Sequence, residues 1–355
     1  MIKIKLLILY IIILVIIISI IIIIIKIITK EGLENAKKGI SYHQINNPEW
    51  YQALEFPEKE FLPNDDNYFN KVKMGYDIMK NKTIIISGLA RDIAKNIYLN
   101  IIRMELLGNK FKDYRILIFE NDSTDGTRQI IHHNSIRNNK IILINCPENP
   151  DCKLQLLSAV HEGVKSYDRF EKMANFRNRI LNEVRSSFKN FDYLMVLDWD
   201  LTGPVSSDGI ANCFYYSNWD VMAANGIVGN LLNKKGEKLN YYDSIAYVPK
   251  NKEPCNLTYI GLCLYTMKTW KLKFNRGDPP ILVNSAFSGC ALYKISSILN
   301  PQIKYTGEHC EHVTFHASMR NAGYDKIFIN PSLIALHTIS LTNSGKKIFE
   351  KFIFF

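Results

Sequence analysis

The hydrophobic and polar positions fall into three regimes along the chain. Residues 6–25 form an unbroken apolar run flanked by Lys3, Lys5, Lys26 and Lys30, and about twenty such residues cross a bilayer as one helix. Residues 31–80 mix polar stretches with the aromatics Trp50, Tyr51, Phe56, Phe61 and Tyr68, as expected of a stem that packs partly on a larger domain. From about residue 81, short apolar runs alternate with segments of helical period. Strands are expected at 83–87, 114–119 and 140–145, in the run that ends near 197, and at 221–224. Helices are expected over 93–107, from about 127, and over 168–187. This alternation predicts an α/β domain with a mostly parallel sheet flanked by helices. The predicted organisation is a tail and anchor at 1–30, a stem at 31–80, a catalytic domain at 81–340 and a tail at 341–355.

Two of these strands break abruptly into polar residues. Residues 192–201 read DYLMVLDWDL, an apolar run closed by Asp198 and Asp200. Alternate residues of an extended chain point the same way, so both carboxylates are expected to face one point. Paired hard oxygen ligands suit Mg²⁺ or Mn²⁺, which are usually held by one or two carboxylates plus substrate phosphates. Residues 114–127 read YRILIFENDSTDGT. Here the strand runs into a turn whose hydroxyls and carboxylates can cap a helix, with Gly126 permitting close backbone approach. Open α/β sheets bind ligands at the carboxyl ends of their strands. An early turn for base and ribose, then a later carboxylate pair for metal and diphosphate, is the order a nucleotide-sugar site needs.

The chain resembles a GT-A (Rossmann-like) glycosyltransferase over residues 83–337. It is similar to the large family (family 2) whose first strand–helix turn reads D-D-G-S-T-D-G-T before a D-x-D strand. It also resembles the fungal capsule mannosyltransferases, through ENDSTDGT and the NFRNRIL helix at 175–181. The resemblance implies transfer of a sugar from a UDP- or GDP-sugar donor to a hydroxyl on a glycan, glycoprotein or glycolipid, with Mn²⁺ or Mg²⁺ as cofactor. The family's paired acids appear here as Glu120-Asn121-Asp122, which leaves uracil and guanine both open.

Residue by residue, the resemblance implies a nucleotide-sugar site of Arg91, Glu120, Asn121, Asp122, Arg177, Asp198, Ser288 and Gly289. Arg177 and Arg179 lie two apart and cannot share a helix face; Arg177 matches the family's position. Ser288 and Gly289 belong to FSGCALY, like the small-residue loop that borders donor and acceptor. Residues 226–284, rich in Lys, Tyr and Asn, are expected to form acceptor loops. GEHCEHVTFHASMRNAGY at 307–324 resembles the family's acidic helix start followed by R-x-x-G-Y. Glu311 is the expected general base if the anomeric centre inverts, with Glu308 as fallback and His312 in place of the usual second acid. If the reaction retains configuration, no base is required of Glu311. His337, at the end of the apolar run after Pro331, is the expected third metal ligand beside Asp198 and Asp200. Taken alone, His309, His312 and His316 suggest zinc, but H-E-x-x-H is absent.

Composition adjusts this reading only at its edges. The chain has 355 residues and a net charge of +10. Its Lys and Arg are scattered without a basic run, so no nucleic-acid partner is expected. No small-residue cleavage site follows residue 25, which favours a retained anchor. The flanking charges are nearly balanced. A short tail fits a single-pass type II protein with a lumenal domain, while a cytoplasmic domain stays open. Seven cysteines admit disulfides, with Cys146–Cys152 and Cys255–Cys263 as candidates. Sequons at Asn81 and Asn256 suit a lumenal setting, and one at Asn121 falls within the proposed nucleotide turn. The rival readings are a sugar nucleotidyltransferase and a non-catalytic carbohydrate-binding or scaffold protein on a transferase fold.

Overall fold

The structure, a computed structural model, describes residues 48–146, 152, 160–161, 164–165, 167–229, 240–257, 259–269 and 272–338. The apolar run at 6–25 lies outside the described residues. Among those described, no helix is long and apolar enough to cross a membrane.

The amino-terminal part holds α1 (Pro48–Gln52), a 3₁₀ turn at Glu58–Glu60 and α2 (Tyr68–Met79). Then follow β1 (Thr83–Ala90), α3 (Ala94–Gly108), β2 (Asp113–Glu120), α4 (Thr127–Arg137) and β3 (Ile141–Asn145). A two-residue ladder, β4 (Val160–His161) with β5 (Val164–Lys165), precedes α5 (Tyr167–Ser187), β6 (Tyr193–Leu197), α6 (Ser207–Tyr215) and β7 (Val221–Gly229). The remainder comprises β8 (Asn240–Tyr241), β9 (Val248–Pro249), α7 (Tyr259–Thr269), β10 (Ile281–Ser285), β11 (Cys290–Lys294), α8 (Glu311–Asn321) and β12 (Ile327–Thr338). Every strand and helix expected between residues 81 and 225 is present within a few residues. The described residues of 226–284, the stretch expected to form loops, include the end of β7, two short strands, an 11-residue helix and most of β10.

The main sheet runs β3-β2-β1-β6-β11-β7-β12-β10-β9, with β8 on β7. Its first four strands are parallel. The sheet as a whole is mixed, which corrects the mostly parallel expectation. β11 enters antiparallel between β6 and β7, and β10 lies antiparallel to β12. An apolar run records burial on both faces, which is usual in parallel sheets but does not fix direction: β11 is buried on both faces and runs antiparallel.

The alternation of side chains sorts the core into two layers. Ile84, Ile86, Ile116, Ile118, Met195 and Leu197 face α3 and α6, while Ile85, Leu117, Phe119, Leu194 and Val196 face α5. The expected stem is bound into this body. Trp50, Phe56 and Phe61 pack with Ile227, Ile334 and Leu336, and each such side chain contributes roughly 1.5–3 kcal/mol by burial. Two buried arginines hold the segment further. Arg103 donates to the carbonyls of Tyr51 (2.6 Å) and Ala53 (2.7 Å). Arg276 donates to Phe61 O (2.8 Å) and Tyr68 Oη (3.0 Å) and pairs with Glu58.

Candidate active site

β6 ends at Leu197, so Asp198 and Asp200 stand in the turn that follows it and not on an extended strand. That turn is fixed from three sides. Asp198 N–H donates to Gly289 O (2.9 Å), Leu201 N–H donates to Asp198 O (3.2 Å), and Asn100 Nδ2 holds the carbonyls of Trp199 (2.9 Å) and Leu201 (2.8 Å). Trp199 between the two acids is fully buried and acts as the anchor. Gly88 on β1 leaves room for it, since a Cβ there would lie 2.9 Å from the indole. Asp198 is partly exposed and Asp200 opens to solvent. Burial first, then the neighbouring Asp200, raises the Asp198 carboxyl well above its ordinary range, with Arg177 opposing.

Arg177 is the central cation. It comes from α5, is 5% exposed, and joins two acids that are far apart in sequence: its Nε donates to Glu311 Oε1 (2.9 Å) and its Nη2 reaches Asp198 Oδ1 (3.4 Å). The guanidinium lies 5.3 Å from the Phe287 ring centroid. Burial alone would lower its pKa, but Glu311 and Asp198 hold it above the ordinary arginine value. Its Nη1 is buried and has no hydrogen-bond partner among the described residues, which leaves one donor for an anionic group. Arg179 faces elsewhere, with Nη1 3.1 Å from Cys146 Sγ.

Glu311 occupies the first turn of α8, where a negative charge also meets the positive end of the helix. Its second oxygen lies 3.8 Å from the Cys310 thiol. Glu308 is exposed in the preceding loop. His312 is buried and stacked on Phe287 at 3.6 Å, with Nε2 3.7 Å from Glu311 Oε1. Burial, then Arg177, lowers its pKa well below the usual imidazole value, so it stands neutral. The zinc reading fails on the other two histidines. His316 is held by Ser285 Oγ (2.9 Å) and Tyr293 Oη (3.0 Å), and His309 by Cys255 O (2.9 Å).

The 287–289 turn lies across from the acids, with Ser288 (φ 56°) and Gly289 (φ 80°) both in the left-handed region. A Cβ at Gly289 would come within 2.7 Å of His337 Nε2. His337 is stacked on Tyr242 at 3.8 Å, and its Nε2 lies 3.3 Å from Ser288 O. Burial lowers its pKa to about 4. Among the described residues no three His, Cys, Asp or Glu side chains stand close enough together to hold a metal ion. The residues present fit Mg²⁺ or Mn²⁺ of the kind held by two carboxylates and completed by substrate phosphate oxygens; His337 lies beside that place without closing a three-ligand set.

The proposed nucleoside turn stands at the same edge of the sheet. β1 separates β2 from β6, all three parallel, so their carboxyl ends lie about 10 Å apart at the ordinary strand spacing. Glu120 is fully buried, accepting from Ser123 N–H (2.9 Å) and pairing with Arg128. Asn121 is buried and donates to Cys152 O (3.2 Å). Asp122, at φ 61°, meets Arg91 Nη2 at 3.3 Å. Asp125 latches two helix starts, accepting from Ala94 N–H (2.8 Å) and Thr127 N–H (3.0 Å). A Cys146–Cys152 disulfide backs the turn. Cys255 is a free buried thiol, so the Cys255–Cys263 pairing does not form.

One acid in the site was not singled out from the sequence. Asp243 follows β8, and its Oδ2 accepts the Ser288 N–H at 2.9 Å. Burial pushes its carboxyl up to about 6, and Glu311 adds to the rise. It is one of four acids in the Lys-, Tyr- and Asn-rich stretch 226–284, with Glu237, Glu253 and Asp278, and no local pattern sets it apart from the others.

No protein-family model matches the chain, and no curated protein matches it. Among solved structures it is similar to TarS of S. aureus (residues 1–349), at 13% identity and a TM-score of 0.40, over 72% of this chain and 60% of that one. It is similar to the mannosyltransferase PcManGT from Pyrobaculum calidifontis, in complex with GDP-Man and Mn²⁺, at 10% identity and a TM-score of 0.41, over 79% and 68%. A third is GalNAc-T7 with UDP, GalNAc and Mn²⁺, at 11% identity and a TM-score of 0.41, over 73% and 44%. The chain thus spans about 60% of the length of the TarS fragment. All three likenesses are distant.

Proposed function

We propose that the chain is a glycosyltransferase that moves a sugar from a nucleotide-sugar donor to a hydroxyl acceptor. The observation that carries this reading is the Arg177 bridge, which joins the Asp198–Asp200 turn to Glu311 at the carboxyl edge of the sheet. The 120–127 turn at that edge, with its resemblance to a nucleotide-sugar turn, supports it. Asp198 and Asp200 would hold Mn²⁺ or Mg²⁺, which when bound neutralises charge gathering on the departing nucleoside diphosphate. Arg177 Nη1 supplies a buried, preorganised donor for the same charge. Asn121, Asp122 and Arg91 border the nucleoside end, and Glu120 shapes that turn through Ser123 and Arg128.

In an inverting transfer the acceptor oxygen attacks the anomeric carbon as its proton passes to Glu311. Arg177 fixes Oε1, which leaves Oε2 as the accepting oxygen. The proton must travel within hydrogen-bond reach. The leaving group is the nucleoside diphosphate, so bonds and charge balance. Neutral His312 beside Glu311 adds no competing charge. A hexosyl, including a mannosyl, donor is consistent with the capsule-enzyme resemblance.

We further read residues 6–25 as an anchor that holds a type II protein with its catalytic domain in a secretory lumen. The Cys146–Cys152 disulfide favours such an oxidising compartment.

The test uses the full chain in detergent and a panel of UDP- and GDP-sugars, with and without Mn²⁺. Release of nucleoside diphosphate from one donor, dependent on Mn²⁺ and abolished in Asp200→Ala, is the expected result. A folded protein that neither binds nor turns over any donor would leave the non-catalytic reading in its place.

A further inference from the structure

Three consecutive residues after residue 239 converge on one backbone turn. Ser288 N–H donates to Asp243 Oδ2 (2.9 Å), Ser288 Oγ lies 2.8 Å from Tyr241 Oη, and the same Oγ reaches Tyr242 O at 3.2 Å. Tyr242 N–H is pinned to Gly226 O on β7 (2.9 Å), and its ring covers His337. Gly226 has to be a glycine for this clamp, since a Cβ there would meet Ser288 Cβ at 2.9 Å.

Three residues of the clamp hold left-handed backbone: Asp243 (φ 71°), Ser288 (φ 56°) and Gly289 (φ 80°). Two of these carry side chains, and such conformations persist only where surrounding contacts impose them. The turn's outgoing carbonyl is what the site uses. Gly289 O receives the Asp198 N–H at 2.9 Å, extending the β6–β11 ladder one step beyond its last paired residues, Leu197 and Cys290.

We infer that Asp243 is a positioning residue for the cation-holding turn: through the Ser288 N–H it fixes the 288–289 backbone, and through Gly289 O it sets where Asp198 stands. The inference rests on the proposed role of Asp198 as a metal ligand. Asp243 acts here as a hydrogen-bond acceptor in a fixed place. Its charge is secondary, and a neutral acceptor of the same shape performs the same task.

The experiment measures Mn²⁺ binding to the full chain in detergent, by loss of the free-ion EPR signal, for wild type, Asp243→Asn, Asp243→Ala and Asp200→Ala. Thermal unfolding without metal monitors the fold. Partners of this outer kind typically change metal affinity by 10–100-fold, so Asp243→Ala is expected to weaken Mn²⁺ by about tenfold or more, and Asp243→Asn by less than about threefold. Asp200→Ala should bind more weakly than either. Unchanged affinity in a folded Asp243→Ala overturns the inference. So does an Asp243→Asn variant as weak as Asp243→Ala, because charge would then be the operative property. If Asp243→Ala does not fold, Asp243→Asn alone decides: a tenfold loss overturns the inference and near-wild-type binding supports it. Wild type that binds no Mn²⁺ removes the metal reading itself, an outcome distinct from a failure of Asp243.

Discussion

Arg177 serves two carboxylates at once, and its removal would leave buried Glu311 without its cation. Breaking a buried pair in this way costs about 3–5 kcal/mol, so Arg177→Ala should lower the thermal midpoint by many degrees, read by calorimetry. Arg177→Lys should recover little of this, because a point charge cannot reproduce a planar fork spanning two acids. Histidine titration supplies a second prediction. His316 is held neutral by burial, with its pKa lowered to about 3. A depressed histidine pKa means that the unfolded chain binds the extra proton, so stability is complete above the unfolded value near 6.5 and falls as pH drops below it. The slope contributed is at most about 1.4 kcal/mol per pH unit per proton. His316→Gln, which can still meet Ser285 and Tyr293, should unfold with a shallower dependence between pH 7 and 5. Asp243 acts in the opposite direction, since its raised pKa favours the folded chain as pH falls through about 6, so the comparison is made between variant and wild type.

At the scale of elements, the 120–127 turn is braced by a covalent link outside its own strand and helix. The Cys146 N–H donates to Glu120 O (3.1 Å), and Cys152 O receives Asn121 Nδ2. The disulfide joins residues six apart, and a loop that short contributes about 2 kcal/mol in the chain-entropy account. A Cys146→Ser, Cys152→Ser double variant should lose about that much stability, seen in urea unfolding. Its affinity for the donor nucleoside should fall while Mn²⁺ binding stays unchanged, because the Asp198 turn is held separately by Gly289 and Asn100. The strand and helix of this unit were legible in residues 114–127, where local period and capping chemistry agree. The brace was legible only as a possible pairing, because sequence spacing does not say which carbonyl a buried amide meets.

For the whole molecule, the segment from residue 48 to 80 belongs to the folded body. Removing it would leave Arg103 without the Tyr51 and Ala53 carbonyls and Arg276 without Glu58, Phe61 and Tyr68. It would also uncover the apolar seat formed by Ile227, Ile334 and Leu336. A chain starting at residue 81 should therefore be insoluble or lack a cooperative unfolding transition, whereas one starting at residue 45 should give a native circular-dichroism spectrum and a single transition. The aromatics of 50–68 pointed to this packing. The two arginines that receive the segment, at 103 and 276, could not be matched to it from their positions in the sequence.

The sequence by itself determined the amino-terminal half of the sheet and the polar residues that close its strands. Apolar runs, helical periods and polar breaks are local properties, so β1, β2, β3 and β6 and the polar residues at their carboxyl ends follow from short windows of chain. Glu311 and His337 were likewise found at a helix start and at a strand's far end. Only the tertiary structure decided how these parts meet. β11 runs antiparallel beside β6, which brings Gly289 to Asp198. Arg177 reaches Glu311 across 134 residues of chain, and Asp243 joins from a stretch with no regular period. Strand direction and long-range charge pairing depend on which surfaces dock, and no local pattern of hydrophobicity encodes that choice.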